Sequence, residues 1–179
     1  VRAGSMRVSD KNTRAFADTS LLGLKLNALK YLHGINEVIV STDCERSAEI
    51  AQRMGATVQW RDRFYAGSNV TNDKHWYHIA DTTPGEVVFL AQVTSPLVRV
   101  STMQSALDQY CSSDRTVSVN SVSAEKKFLW ENGAPINYKI SQTPKSQDLP
   151  KIVSLNFAIT IISRKEMMDR KNVIGENPI

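Results

Sequence analysis

The sequence predicts an α/β fold: a mostly parallel sheet covered by helices. Three observations predict it. Short β-branched segments alternate with helical patterns from residue 20 to residue 120. Several of those helical patterns open with Ser or Thr followed three positions later by Glu or Gln, the spacing of a capping box. And 179 residues that are 41% hydrophobic can bury one sizeable core.

The elements follow in order. Leu21, Leu22, Lys25, Ala28, Leu29 and Leu32 recur at helical spacing until Gly34 stops the run. Residues 37–41 form a β-branched strand, and Thr42 with Glu45 predicts the start of a helix that carries Ile50 and Met54 and closes at Gly55. A strand over 56–60, a helix over about 72–81 and a strand over 86–92 come next. Ser101 with Gln104 predicts another helix, and residues 116–120 another strand. From 122 to 155 the alternation breaks: Pro135, Pro144 and Pro150 sit among Ser, Lys and Gln, so this stretch reads as an excursion from the sheet. Short strands over 128–130 and 137–140 flank an Asn132-Gly133 turn. A strand over 157–162 and a helix opened by Ser163 with Glu166 complete the pattern.

Composition narrows function. No window of eighteen apolar residues exists, so no membrane partner is expected. Cys44 and Cys111 have neither disulfide-framework nor metal spacing, and no export signal is visible, which together point to the cytoplasm. The net charge of +4 would admit nucleic acid, but apart from Arg2, Arg7, Lys11 and Arg14 the cations are scattered among acids. A local anion site fits better than a nucleic-acid face. His75, His78 and Asp81 have a spacing that could hold a metal but read more simply as structural, and Trp60, Trp76 and Trp130 read as core or interface anchors.

In open α/β sheets ligands bind beyond the carboxyl ends of the strands. The first segment of interest, residues 2–12, offers small residues, a hydroxyl and cations, a composition that can cradle phosphate; on its own it reads equally as a basic terminus. The segment 90–99 reads LAQVTSPLVR. It resembles the LLQPTSPLR signature of the cytidylyltransferases that activate sialic acid and related 3-deoxy sugar acids. The VIVSTD run at 38–43, Ala48 to Ala51, Gly55-Ala56 and Ser20 to Gly23 match the same family in order, and Arg2, Gly4, Ser5, Lys11 and Asn12 match its glycine-rich loop.

The resemblance implies a three-layer, Rossmann-like nucleotidyltransferase fold, with residues 1–121 and 156–179 as the nucleotide-binding domain and 122–155 as an inserted arm for dimerisation and acceptor contact. It implies CTP and a sugar acid as ligands, Mg2+ as cofactor, and a homodimer. Arg2 and Lys11 would be catalytic, facing the phosphates together with Ser5; Asn12 would hold the nucleotide and Arg61 would read cytosine. Gln92, Lys127 and Asn156 would bind the acceptor, Asn156 standing in the family's RxNGAI strand. Met6, Arg7, Ser68 and Val98 depart from the family pattern, as does the lack of an arginine near 146–148. These departures favour, as the alternative, a catalytically silent nucleotide- or sugar-binding relative. The family also has a buried strand ahead of the glycine-rich loop and a DIDT segment with metal-binding aspartates; neither is in these residues, so the sequence reads as a fragment of that pattern, with the metal ligands unknown.

Overall fold

The computed structural model describes residues 1–4, 8–67, 69–114 and 117–179. The chain divides into two compact units, one made of residues 1–120 and 158–179, the other of residues 121–157.

In the first unit a small hairpin, β1 (Ala15–Phe16) and β2 (Thr19–Ser20), leads into α1 (Leu21–Leu29), whose start is capped by the Ser20 hydroxyl accepting from the Gly23 amide at 3.1 Å. Next come β3 (Ile39–Thr42), α2 (Glu45–Arg53), β4 (Thr57–Trp60), the short α3 (Arg63–Ala66) and α4 (Asn72–Thr82). β5 (Val87–Ala91) and α5 (Val100–Ser112) complete the alternation, and β6 (Val117–Glu125) then carries the chain into the second unit.

That unit holds a hairpin of β7 (Trp130–Glu131) and β8 (Ala134–Pro135) turned by Asn132 and Gly133, both at positive φ. The chain returns along β9 (Ile152–Ser163), followed by α6 (Arg164–Arg170) and β10 (Asn177–Pro178). β3 pairs in parallel with β4, and a four-stranded sheet has the order β10-β6-β9-β5. β10 and β6 are parallel but β5 and β9 are antiparallel, Ala91 lying opposite Ile159, so the sheet is mixed where the sequence predicts a mostly parallel one.

The period-two alternation of β9 organises the core. Ile159 and Ile161 pack with Leu32 and with Met103, Leu107 and Tyr110 of α5. Ile162 faces the other way, onto Ile79 and Ala80 of α4 and Met167 of α6. Fully burying such aliphatic side chains contributes about 1.5–3 kcal/mol each. A third cluster joins Leu22 and Leu26 of α1 to Val40 of β3 and to Ile50 and Ala51 of α2. A buried polar group ties the sheet to the chain's last segment: Asn120 accepts from the Ser118 hydroxyl at 2.7 Å and donates to Thr160 Oγ1 and the Val173 carbonyl, each at 3.2 Å.

Several expectations are corrected. Thr42 does not cap α2; its hydroxyl accepts from the Cys44 amide at 3.1 Å, closing a turn at the strand end, and Cys44 is the N-cap. Ser101 lies inside α5, whose N-cap is Arg99, whereas Ser163 caps α6 as expected, accepting from Glu166 at 3.1 Å. The strand expected over 137–140 does not form. The side chain of Asn137 is buried there instead, accepting from the Leu129 amide and donating to the Lys127 carbonyl, so an amide side chain does the work of a backbone ladder. Trp60 is no core anchor, being 60% exposed, and Trp130 is 53% exposed.

Candidate functional site

A cleft of about 1180 Å³ opens in the first unit between β3 on one side and β5 on the other. The β3 edge away from β4 and the β5 edge away from β9 have no strand partner among the described residues. The carboxyl ends of both strands meet the cleft, and beyond such ends is where this fold class places ligands.

Residues 1–3 are clipped to the β3 side. The Val1 nitrogen donates to the Ser41 carbonyl at 2.7 Å, and the Ala3 amide donates to Asp43 Oδ1 at 2.8 Å. Arg61, only 8% exposed, donates through Nη2 to both the Val1 and Ser41 carbonyls, at 3.1 and 3.0 Å, while its Nε is buried without a partner. The pKa of Arg61 is lowered by burial and by Arg2, against the opposing pull of Asp43. Arg2 is exposed and donates to the Ala66 carbonyl at 3.3 Å.

Lys11 and Asn12 lie in the turn that precedes the β1–β2 hairpin. The Asn12 carbonyl accepts from the Leu22 amide at 2.9 Å, which fixes the turn to the start of α1, and its side-chain Oδ1 is buried with no partner. Gln92 follows β5; its amide donates to the Ala158 carbonyl at 3.1 Å and its carbonyl accepts from the Ser95 amide at 3.2 Å. Arg2, Lys11, Asn12, Arg61 and Gln92 all line the one cleft, although they come from four separate segments of the chain. A cleft with four cations on its wall, Arg2, Lys11, Lys25 and Arg61, suits a polyanion.

Asp62 does not pair with Arg61 or Arg63; it caps α3, accepting from the Phe64 amide at 2.7 Å. Tyr65 then stacks on His78 of α4, ring centroids 3.8 Å apart and 2° from parallel, and His75 hydrogen-bonds the Tyr65 backbone. Burial lowers the affinity of both imidazoles for a proton, with Arg61 adding to the effect. These contacts use the two histidines to hold the loop after β4.

The other expected site residues stand elsewhere. Ser5, with Met6, Arg7 and Ser68, lies outside the described residues. Lys127 and Asn156 belong to the second unit. Lys127, its side chain 74% exposed, pairs with Glu125 at 3.1 Å. Asn156 accepts from the Ser121 hydroxyl at 2.6 Å and donates to Ser123 Oγ at 3.0 Å. Next to it, Phe157 has φ of 55° at the position where the resembling motif carries glycine, a backbone region that costs a bulky residue strain.

For magnesium the fit is poor. No three His, Cys, Asp or Glu side chains converge among the described residues, and Asp43 already uses Oδ1 on the Ala3 amide. No helix among the described residues is long and apolar enough to cross a membrane.

Comparison with known proteins sharpens the picture. A family profile described as cytidylyltransferase matches residues 1–144. The CMP-N,N'-diacetyllegionaminic acid synthase of Legionella pneumophila is 26% identical over 98% of this chain and 80% of its own length. The post-translational flagellin modification protein B of Campylobacter coli is 22% identical over the same shares. Among solved structures, the synthetase of CMP:2-keto-3-deoxy-manno-octonic acid complexed with CTP superposes with a TM-score of 0.71 at 12% identity, covering 95% of this chain and 74% of that one. The 4-diphosphocytidyl-2C-methyl-D-erythritol synthase of Anaerococcus prevotii gives 0.64 at 11% identity, over 88% of this chain and 65% of that one. Both share the α/β nucleotidyltransferase fold.

Proposed function

The chain belongs to the cytidylyltransferase family, and from that premise we propose that it transfers CMP from CTP to a 3-deoxy-2-keto sugar acid of the sialic acid type. In this reaction the acceptor's anomeric hydroxyl oxygen forms a bond to the α-phosphorus and gives up its proton. The bond from that phosphorus to the bridging oxygen breaks, and pyrophosphate leaves with the electron pair. Little covalent help is needed; alignment and charge neutralisation supply the rate.

The observation that carries this reading is the convergence of Arg2, Lys11, Asn12, Arg61 and Gln92 on one cleft. Arg2 and Lys11 are the cations for the triphosphate and for the charge that builds on the leaving group. Asn12 holds the nucleotide through its unpartnered Oδ1. Arg61, with Nη2 fixed on two backbone carbonyls, presents Nη1 to the cytosine acceptors O2 and N3. Gln92 contacts the acceptor. The relative from Legionella pneumophila named CMP-N,N'-diacetyllegionaminic acid synthase, matched over 80% of its length, supports the acceptor class.

The test is pyrophosphate release by the full chain with CTP, UTP or ATP against a panel of 3-deoxy sugar acids. Release with CTP and at least one acceptor is the expected result. CTP binding with no release on any acceptor would make the chain a silent relative, the outcome that Met6, Arg7, Ser68 and Val98 favour. Residues 121–157 serve, on this reading, as the arm that docks on a second copy. Phe128, Trp130, Ile136 and Ile140 are among its exposed apolar side chains, and a monomeric mass by light scattering at micromolar concentration would refute that assignment.

A further inference from the structure

One cation in the cleft has no assigned work. Lys25 sits in α1 on the same face as Leu22 and Leu26, where a hydrophobic residue is expected, and is 3% exposed. Its ammonium has three donors, and among the described residues the one bond it makes is to the Ser95 carbonyl at 3.0 Å. The ion pairs among the described residues are Lys127 with Glu125, Lys165 with Asp169, and Arg170 with Glu166 and Glu176; none involves Lys25. Burial accordingly presses its proton affinity below that of an ordinary lysine. A buried charge without a counter-charge is costly, and an anion entering the cleft removes that cost.

The position says which anion. Lys25 lines the cleft alongside Gln92 and Thr94, and the carbonyl that anchors it belongs to Ser95, whose amide closes the turn on Gln92 at 3.2 Å. The triphosphate already has Arg2 and Lys11. The residues that the family resemblance assigns to the acceptor supply no such group: Lys127 is exposed and paired with Glu125, and residues 146–148 are Ser, Gln and Asp. We propose that Lys25 holds the carboxylate of the acceptor sugar acid. This rests on the transfer reaction proposed above and adds to it the residue that distinguishes an acid from a neutral sugar.

The test compares the full chain with Lys25→Met, which keeps the length and apolar stem but removes the charge, and with Lys25→Arg. The acceptors are 2-keto-3-deoxy-manno-octonic acid, N,N'-diacetyllegionaminic acid and the carboxamide of each. Lys25→Met is expected to raise the acceptor KM about 10- to 100-fold while the CTP KM stays within about twofold. It should also use acid and carboxamide about equally, whereas the unchanged chain prefers the acid; Lys25→Arg should recover part of the preference. Thermal stability should hold or rise, because a desolvated charge has gone. An unchanged acceptor KM, or a rise confined to CTP, overturns the proposal, the latter in favour of a phosphate contact. A lowered Tm with an unaltered acid preference would reduce Lys25 to a structural peg. Should the unchanged chain release no pyrophosphate with any acceptor, the transfer reaction fails on its own, and calorimetric titration with the two acids then decides for Lys25. Binding that Lys25→Met abolishes supports it, and binding that survives, or none at all, overturns it.

Discussion

Replacing Asn120 with alanine tests how the sheet is held. Three side-chain hydrogen bonds disappear: from Ser118 at 2.7 Å, to Thr160 at 3.2 Å and to the Val173 carbonyl at 3.2 Å. All four residues are buried, so no water replaces the lost partner at no cost. At about 1 kcal/mol net per bond the loss is about 3 kcal/mol, a large share of the roughly 5–15 kcal/mol that hold a domain together. With a urea slope of about 2 kcal/mol per molar, the unfolding midpoint should fall by about 1.5 M. The assay is equilibrium urea unfolding followed by tryptophan fluorescence and far-ultraviolet dichroism. Asn156→Ala is the control, since the Asn156 side chain bonds Ser121 and Ser123 but is exposed; it should cost less than about 1 kcal/mol. The pair Ser118→Ala and Asn120→Ala should be non-additive, because they share a bond. A midpoint shift for Asn120→Ala below about 0.3 M, or one equal to that of Asn156→Ala, would refute the reasoning.

Three more outcomes are expected. Lys11→Ala should lower turnover about 100-fold or more with little change in CTP affinity, since a charge that meets the leaving group acts mainly in the transition state; equal losses in single-turnover rate and CTP affinity would remove it from catalysis. Arg61→Lys should reduce the preference for CTP over UTP by about tenfold or more in competition assays, because an ammonium cannot keep two backbone carbonyls and a base in its reach at once. Stability should fall as pH drops below about 6.5. His75 and His78 bind protons less readily when folded, so the unfolded chain takes up the proton and is favoured. A flat melting profile from pH 7.5 to 5.5 would count against the histidine contribution.

The strands of the α/β alternation were legible because they are short β-branched runs, and the helices because their apolar residues recur every three to four positions. Cap positions were less so. The Thr42–Glu45 and Ser101–Gln104 spacings match a capping box, yet a side chain that bonds a neighbouring amide outside the helix satisfies the same pattern, as Thr42 does with Cys44. β6 and β9 run well beyond the segments expected, to Glu125 and from Ile152: the outer end of β6 is rich in Ser, and Pro144 and Pro150 masked the apolar residues Ile152, Val153 and Leu155 that open β9. The cleft residues Arg2, Lys11, Asn12, Arg61 and Gln92 stand out through motif order alone. Lys25 and Asn120 do not: a lysine in a helical stripe and an asparagine at a strand end are ordinary on a surface, and only tertiary packing shows that both are buried.

The neighbouring places of β6 and β9 in the sheet bear on how such a chain diversifies. The polypeptide leaves the first unit after Asn120 and re-enters it at Ala158 on the adjacent strand, so everything between hangs from two ends that the sheet already holds side by side. For a loop tethered in this way, doubling its length costs only about 0.6 kcal/mol in closure entropy. Insertions, deletions or wholesale grafts between residues 121 and 157 therefore meet a weak thermodynamic barrier, whereas an equal change between β5 and α5 would displace Gln92. Evolution, or an engineer, can exchange the first segment as a cassette while the nucleotide chemistry is inherited unaltered.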